Sequence, residues 1–175
     1  SNVTNMYSMF YQSNSIKIVD LSTLNISKSA NMDWMMNNSN ELELVVLPNI
    51  SVSDLSMKGA FSSCYSLKSI NIPNISASEL NMEGLFDGCI NLESVDLSII
   101  KANKLKASSM FSNCLFLKQI DLSKMQVDKI KVDSMFNECK NLENIIFWNS
   151  INLLSEENEV HINSTTMEKM FYNCY

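Results

Sequence analysis

Apolar residues return along this chain at an interval far longer than the repeat of a helix or a strand. An apolar residue followed by Phe stands at Met9-Phe10, Ala60-Phe61, Leu85-Phe86, Met110-Phe111, Met135-Phe136 and Met170-Phe171, and Met35-Met36 fills the one vacant slot. The anchors are spaced by 26, 25, 25, 25, 25 and 35 residues. Other apolar positions keep register with them. Six residues on come Ile16, Leu42, Leu67, Leu92, Leu117 and Leu142. Nine on come Val19, Val45, Ile70, Val95, Ile120 and Ile145, and eleven on come Leu21, Leu47, Ile72, Leu97, Leu122 and Phe147.

The last two columns alternate with their neighbours, which is the two-residue period of a strand. A second alternation follows at Leu55/Met57, Leu80/Met82, Leu105/Ala107 and Ile130/Val132. Met82, Leu85 and Phe86 then fall at i, i+3 and i+4, a spacing that predicts a helical turn. Each repeat reads as strand, bend, short extended segment and helical turn. One such unit cannot bury its own apolar face, but stacked units can. The pattern therefore predicts one mainly β solenoid over residues 1–175, with parallel strands about 4.8 Å apart along the stack. It has six rungs and a partial seventh, and a ten-residue insertion within 146–166 accounts for the long last interval. Pro48 and Pro73 sit one residue past the paired strand positions, where a missing amide donor costs least.

Composition narrows the function. Of 175 residues, 46% are hydrophobic, which suits a packed domain rather than a disordered one. The 13 basic residues are all Lys and the net charge is -6, a poor footprint for nucleic acid. No apolar run approaches the roughly 20 residues that span a bilayer. The chain opens on polar "SNVTNMYS", with no signal peptide, and both "SNVTNM" and "MFYNCY" lie inside a repeat without a polar cap. The expectation is a fragment of a longer array.

The pattern M-x-x-M-F-x-x-C-x-x-L-x-x-I-D-L-S, with the "SNVTNM" opening, resembles the BspA-like leucine-rich repeat surface proteins of microbes. The resemblance covers essentially the whole chain. It implies a right-handed leucine-rich-repeat solenoid and a surface-exposed or secreted interaction module, in some members an adhesin for host matrix or other cells. An extracellular or cell-surface location follows from the same resemblance. Departures are Met36 for Phe, Ser13 and Ser39 for Cys, and the 35-residue interval before Phe171.

Cys64, Cys89, Cys114, Cys139 and Cys174 each lie three residues after an anchor, one per rung. Structural metal sites want C-x2-4-C pairs, which this spacing lacks. Bridges between neighbouring rungs compete with free thiols: parallel in-register side chains keep Cβ atoms about 5 Å apart where a disulfide wants about 3.8 Å. Ser13 and Ser39 in the same slot favour a ladder of buried thiols and hydroxyls that donate to nearby backbone carbonyls.

No P-loop, G-x-G-x-x-G, G-x-S-x-G or H-E-x-x-H occurs. His161 is the only His, and Glu156, Glu157 and Glu159 read as a solvated loop. The expectation is no enzyme, no cofactor and no metal. A binding surface would lie on the outward columns of the first strand, eight, ten and twelve residues past the anchor. Its candidate residues are Leu44, Val46, Asn71, Asp96, Asp121, Ile146 and Trp148. Ser98 and Ser123 complete a recurring Asp-x-Ser. Leu44, Val46, Ile146 and Trp148 break the polar column, either to meet a protein or cell-surface ligand or, in rung six, to lie beneath the insertion. The alternative is a structural spacer or a subunit packed against neighbouring chains. Lys104, Lys106, Lys129 and Lys131 form a basic stripe on two adjacent rungs, read mainly as a solvated face. N-x-S/T triplets occur at Asn2, Asn25, Asn37, Asn49, Asn74 and Asn163.

Overall fold

The computed structural model describes residues 3–147 and 170–174. The first strand of each rung is three residues long: β1 (Ile18–Asp20), β3 (Leu44–Val46), β5 (Ser69–Asn71), β7 (Ser94–Asp96), β9 (Gln119–Asp121) and β11 (Asn144–Ile146). In each, the middle residue faces inward and its neighbours outward. These strands pair in parallel as β1-β3, β5-β7 and β9-β11, with register offsets that follow the sequence repeat.

The second segment makes the larger sheet, although the sequence pattern points to the first. β2 (Ala30–Asn31), β4 (Ile50–Ser56), β6 (Ile75–Asn81), β8 (Ile100–Lys106) and β10 (Gln126–Lys131) form one continuous parallel sheet in stacking order. Ile50, Ile75 and Ile100 lie opposite one another, as do Leu55, Leu80, Leu105 and Ile130. Ser53 and Asp54 both turn outward, and the pairing register steps over Ser53, Ser78 and Asn103. A strict alternation cannot accommodate two outward residues in a row, so the segment is longer than the pattern alone suggests.

The expected helical turn is instead a string of β-turns. Ala60, Ser62 and Cys64 donate their amides three residues back, to Met57, Gly59 and Phe61. Between them, Met57, Gly59, Phe61 and Ser63 donate across to Asn81, Glu83, Leu85 and Asp87 of the next rung. Two positions per rung, two before and two after the anchor, have positive φ: Trp34 and Asn38, Gly59 and Ser63, Gly84 and Gly88, Ser109 and Asn113, Ser134 and Glu138. A helix needs negative φ throughout, so the alternation of left-handed residues excludes it. It produces a third ladder between rungs, and the apolar i, i+3, i+4 spacing serves a turn string equally well.

The core is built from columns. Phe61, Phe86, Phe111, Phe136 and Phe171 stack face to face, with centroids 5.6–5.9 Å apart and ring planes within 16°. Met36 continues the column in rung two and is fully buried. Leu42, Leu67, Leu92 and Leu117 are equally buried beside it. Full burial of one such side chain stabilises by about 1.5–3 kcal/mol, and Phe61, Phe86, Phe111 and Phe136 are each sealed by the rungs on either side.

Candidate interaction surface

The first-sheet face must satisfy its own backbone before it can serve a ligand. Asp20, Asp96 and Asp121 accept the amides of Ser22, Ser98 and Ser123 at 2.9, 2.9 and 2.8 Å. Hydrogen bonds from those serines hold all three carboxyls below their ordinary range. The Asp-x-Ser column is therefore an Asx-turn that ends each strand. In rungs two and three the second residue is Pro48 or Pro73, which has no amide to satisfy. There the first residue is Val46 or Asn71 instead of Asp. Proline removes the donor and so releases the position ten past the anchor from its structural duty.

This changes the reading of the face. The position twelve past the anchor does not point uniformly outward: Pro48 is buried and Pro73, Ser98 and Ser123 are half-buried, because the chain bends back toward the core there. Asp96 and Asp121 are exposed but engaged in turns, and Asn71 is exposed on β5. Leu44 and Val46 are 45% and 37% exposed on β3, and Ile146 is 55% exposed on β11. Asp96, Asp121 and Ile146 line one shallow depression of about 400 Å³ with Ser94, Gln119 and Lys124. Leu44 and Val46 lie at the opposite end of the stack. Trp148, His161, Asn163 and the three insertion glutamates lie outside the described residues.

Ile18 was missed by sequence reasoning. It is 64% exposed, directly opposite Leu44, while Asp20 pairs with Val46. Ile18, Leu44 and Val46 thus make a contiguous apolar patch on two neighbouring strands. The column eight past the anchor carried the signal: Ile18 and Leu44 precede Ser69, Ser94, Gln119 and Asn144.

The cysteine slot has a definite geometry. Ser39 Oγ donates to Phe10 O at 2.8 Å. Cys64, Cys89, Cys114, Cys139 and Cys174 donate their thiols to the carbonyls of Met36, Phe61, Phe86, Phe111 and Phe136 at 3.1, 2.9, 3.2, 2.9 and 2.9 Å. Each acceptor is the anchor residue of the preceding rung. All five cysteines are free. Burial pushes Cys64 and Cys139 up to about 12 and Cys89 and Cys114 well above their ordinary value. A thiol that cannot ionise is a poor nucleophile and a poor metal ligand. Asn37 is also buried, its Nδ2 donating to Ser62 O at 3.3 Å, so that sequon is closed to a glycan in the folded chain. Among the described residues no helix is long and apolar enough to cross a membrane.

Comparison with known families agrees with the architecture. Residues 38–175 match the family described as "BspA type Leucine rich repeat region (6 copies)". Residues 1–51 match one described as "Mycoplasma protein of unknown function". No curated protein and no solved structure matches the chain. With four-fifths of its length matched, the chain belongs to the BspA-type leucine-rich repeat family.

Proposed function

We propose that this solenoid is a protein-interaction module displayed at a cell surface, and that it engages its partner through Ile18, Leu44 and Val46. The observation that carries the reading is the apolar patch itself. Every described rung from three to five presents polar residues at these outward positions, whereas rungs one and two present three large aliphatic side chains to solvent. A contiguous apolar patch beside three rungs of polar outward residues favours a protein contact, and Ile146 on β11 stands apart from it as a single exposed side chain. Rung two can carry Val46 because Pro48 has made the usual Asp unnecessary. Family membership supports a binding scaffold over an enzyme, and an adhesin for host matrix or another cell is the finer reading.

A structural spacer, or an assembly subunit with no ligand of its own, is the second reading. Its support is that Asp20, Asp96 and Asp121 are consumed by turns. The test is retention on immobilised matrix proteins and on intact host cells, comparing the native chain with Leu44→Asp and Val46→Asp. The module reading expects retention by the native chain, loss by both variants, and no change for Ser69→Asp. Absence of retention by the native chain on every surface sinks the adhesin reading and leaves the spacer.

A further inference from the structure

The outward face of the second sheet changes sign along the stack. β4 presents Ser51, Ser53, Asp54 and Ser56, and β6 presents Ser76, Ser78, Glu79 and Asn81. β8 presents Lys101, Asn103, Lys104 and Lys106, and β10 presents Gln126, Asp128, Lys129 and Lys131. Lys104 lies opposite Lys129, and Lys106 opposite Lys131. Five of the 13 lysines but one of the 19 acidic residues lie on these two strands. Parallel strands hold the paired lysines about 4.8 Å apart, and Lys101 to Lys106 spans about 17 Å along the strand. Among the described residues, salt bridges reach the strip from Glu79 to Lys104 at 3.0 Å and from Asp133 to Lys131 at 3.5 Å. Both are exposed and therefore weak and exchangeable.

We infer that the β8–β10 strip binds a linear sulfated polysaccharide through Lys101, Lys104, Lys106, Lys129 and Lys131. Like charges stacked at one rung spacing repel, and a ligand carrying closely spaced anions relieves that repulsion. Among the described residues the strip is long in the strand direction and two strands wide, which suits a chain rather than a plane. An anionic membrane laid on this sheet would also meet Asp54 and Glu79 on the neighbouring strands. No aromatic side chain stands on the strip, so single-stranded nucleic acid has nothing to stack on. No apolar anchor stands there either, which disfavours a peptide partner. What remains is a ligand recognised by charge alone. The strip is distinct from the Ile18–Leu44–Val46 patch, so the two surfaces succeed or fail independently.

The test is affinity for a heparin-derived octasaccharide at about 50 mM salt, where surface charges are weakly screened. The native chain, at net charge -6, is expected to bind despite its overall charge. Changing Lys104, Lys106, Lys129 and Lys131 to Gln is expected to lower the affinity at least tenfold and to flatten its salt dependence. Changing Lys17, Lys68, Lys118 and Lys140 to Gln alters net charge equally and is expected to leave binding within twofold. A double Lys101→Gln/Lys129→Gln variant gives an intermediate loss, with far-UV circular dichroism confirming the fold of each. Failure of the native chain to bind overturns the inference, and so does equal loss in both quadruple variants. Equal affinity for desulfated heparin, or tighter binding to phosphatidylserine vesicles, also overturns it.

Discussion

Gly59 and Gly84 occupy the same slot in adjacent rungs, with φ of +57° and +59°, yet they should respond differently to alanine. Placing a Cβ in the left-handed region costs about 1–2 kcal/mol. Restricting the unfolded chain returns about 0.4–1 kcal/mol. The net for Gly84→Ala is then about 1 kcal/mol, because the nearest atom to a Cβ there is Asp87 Cβ at 3.7 Å. At Gly59 a Cβ would stand 2.4 and 2.5 Å from Trp34 Cζ3 and Cε3. Trp34 fills the equivalent slot one rung earlier, itself at φ +57°, and its ring lies across the glycine. The ring has to move, and overpacking of this kind costs about 1–3 kcal/mol more. Urea denaturation of each variant gives the comparison, read as the midpoint shift at unchanged slope. Gly59→Ala should exceed Gly84→Ala by about 1–3 kcal/mol, and Trp34→Ala should abolish the excess. Equal losses at the two glycines, or an excess that survives removal of the indole, would refute the steric argument.

Other outcomes follow from the columns. Cys89→Ala removes the thiol bond to Phe61 O, which still accepts the Cys64 amide, and should cost about 0.5–1.5 kcal/mol in the same titration. Cys89→Ser should cost less, since Ser39 already fills that role in rung two. Cys64 and Cys139 rise in the folded chain from an ordinary 9.0 to about 12. The unfolded chain then releases protons first. Stability should be intact below pH 9 and fall as pH rises toward 12, measured as the urea midpoint against pH. For Asp96 the sign is opposite: its carboxyl is lowered by the Ser98 hydrogen bonds. Its contribution is present near neutral pH and lost as pH falls through the folded value. Asp96→Ala should lower the thermal midpoint, while Asn71→Ala should not, because Pro73 has no amide to cap.

The solenoid was legible because its apolar columns repeat at a spacing nothing else produces. The turn string was not, since Met82, Leu85 and Phe86 satisfy helical spacing whatever the sign of φ between them. The clue lay in the glycines: Gly59, Gly84 and Gly88 all fall at left-handed slots, but Ser, Asn, Gln, Glu and Trp fill the others and mask the rule. Asp96 and Asp121 read as candidate binding residues because an outward side chain looks free until its neighbour's amide is counted. The exchange of Asp-x-Ser for Val46-x-Pro48 and Asn71-x-Pro73 was visible in the letters and is explained only by that amide. Ile18 sits in a rung that keeps Asp20-x-Ser22, so only the column eight past the anchor sets that rung apart.

The turn string has an electrostatic consequence. The peptide groups that end at Met57, Gly59, Phe61 and Ser63 each accept from the rung before and donate to the rung after. Their dipoles, about 3.5 D each, point the same way, whereas those of ordinary strands alternate and largely cancel. Four columns of aligned peptides run down one side of the stack, as the backbone does in a helix. The sense is opposite to a helix read along its chain. Amides face the later rungs and carbonyls the earlier ones, so the positive pole lies toward the C-terminal rungs. Every added rung extends that polarity without turning it.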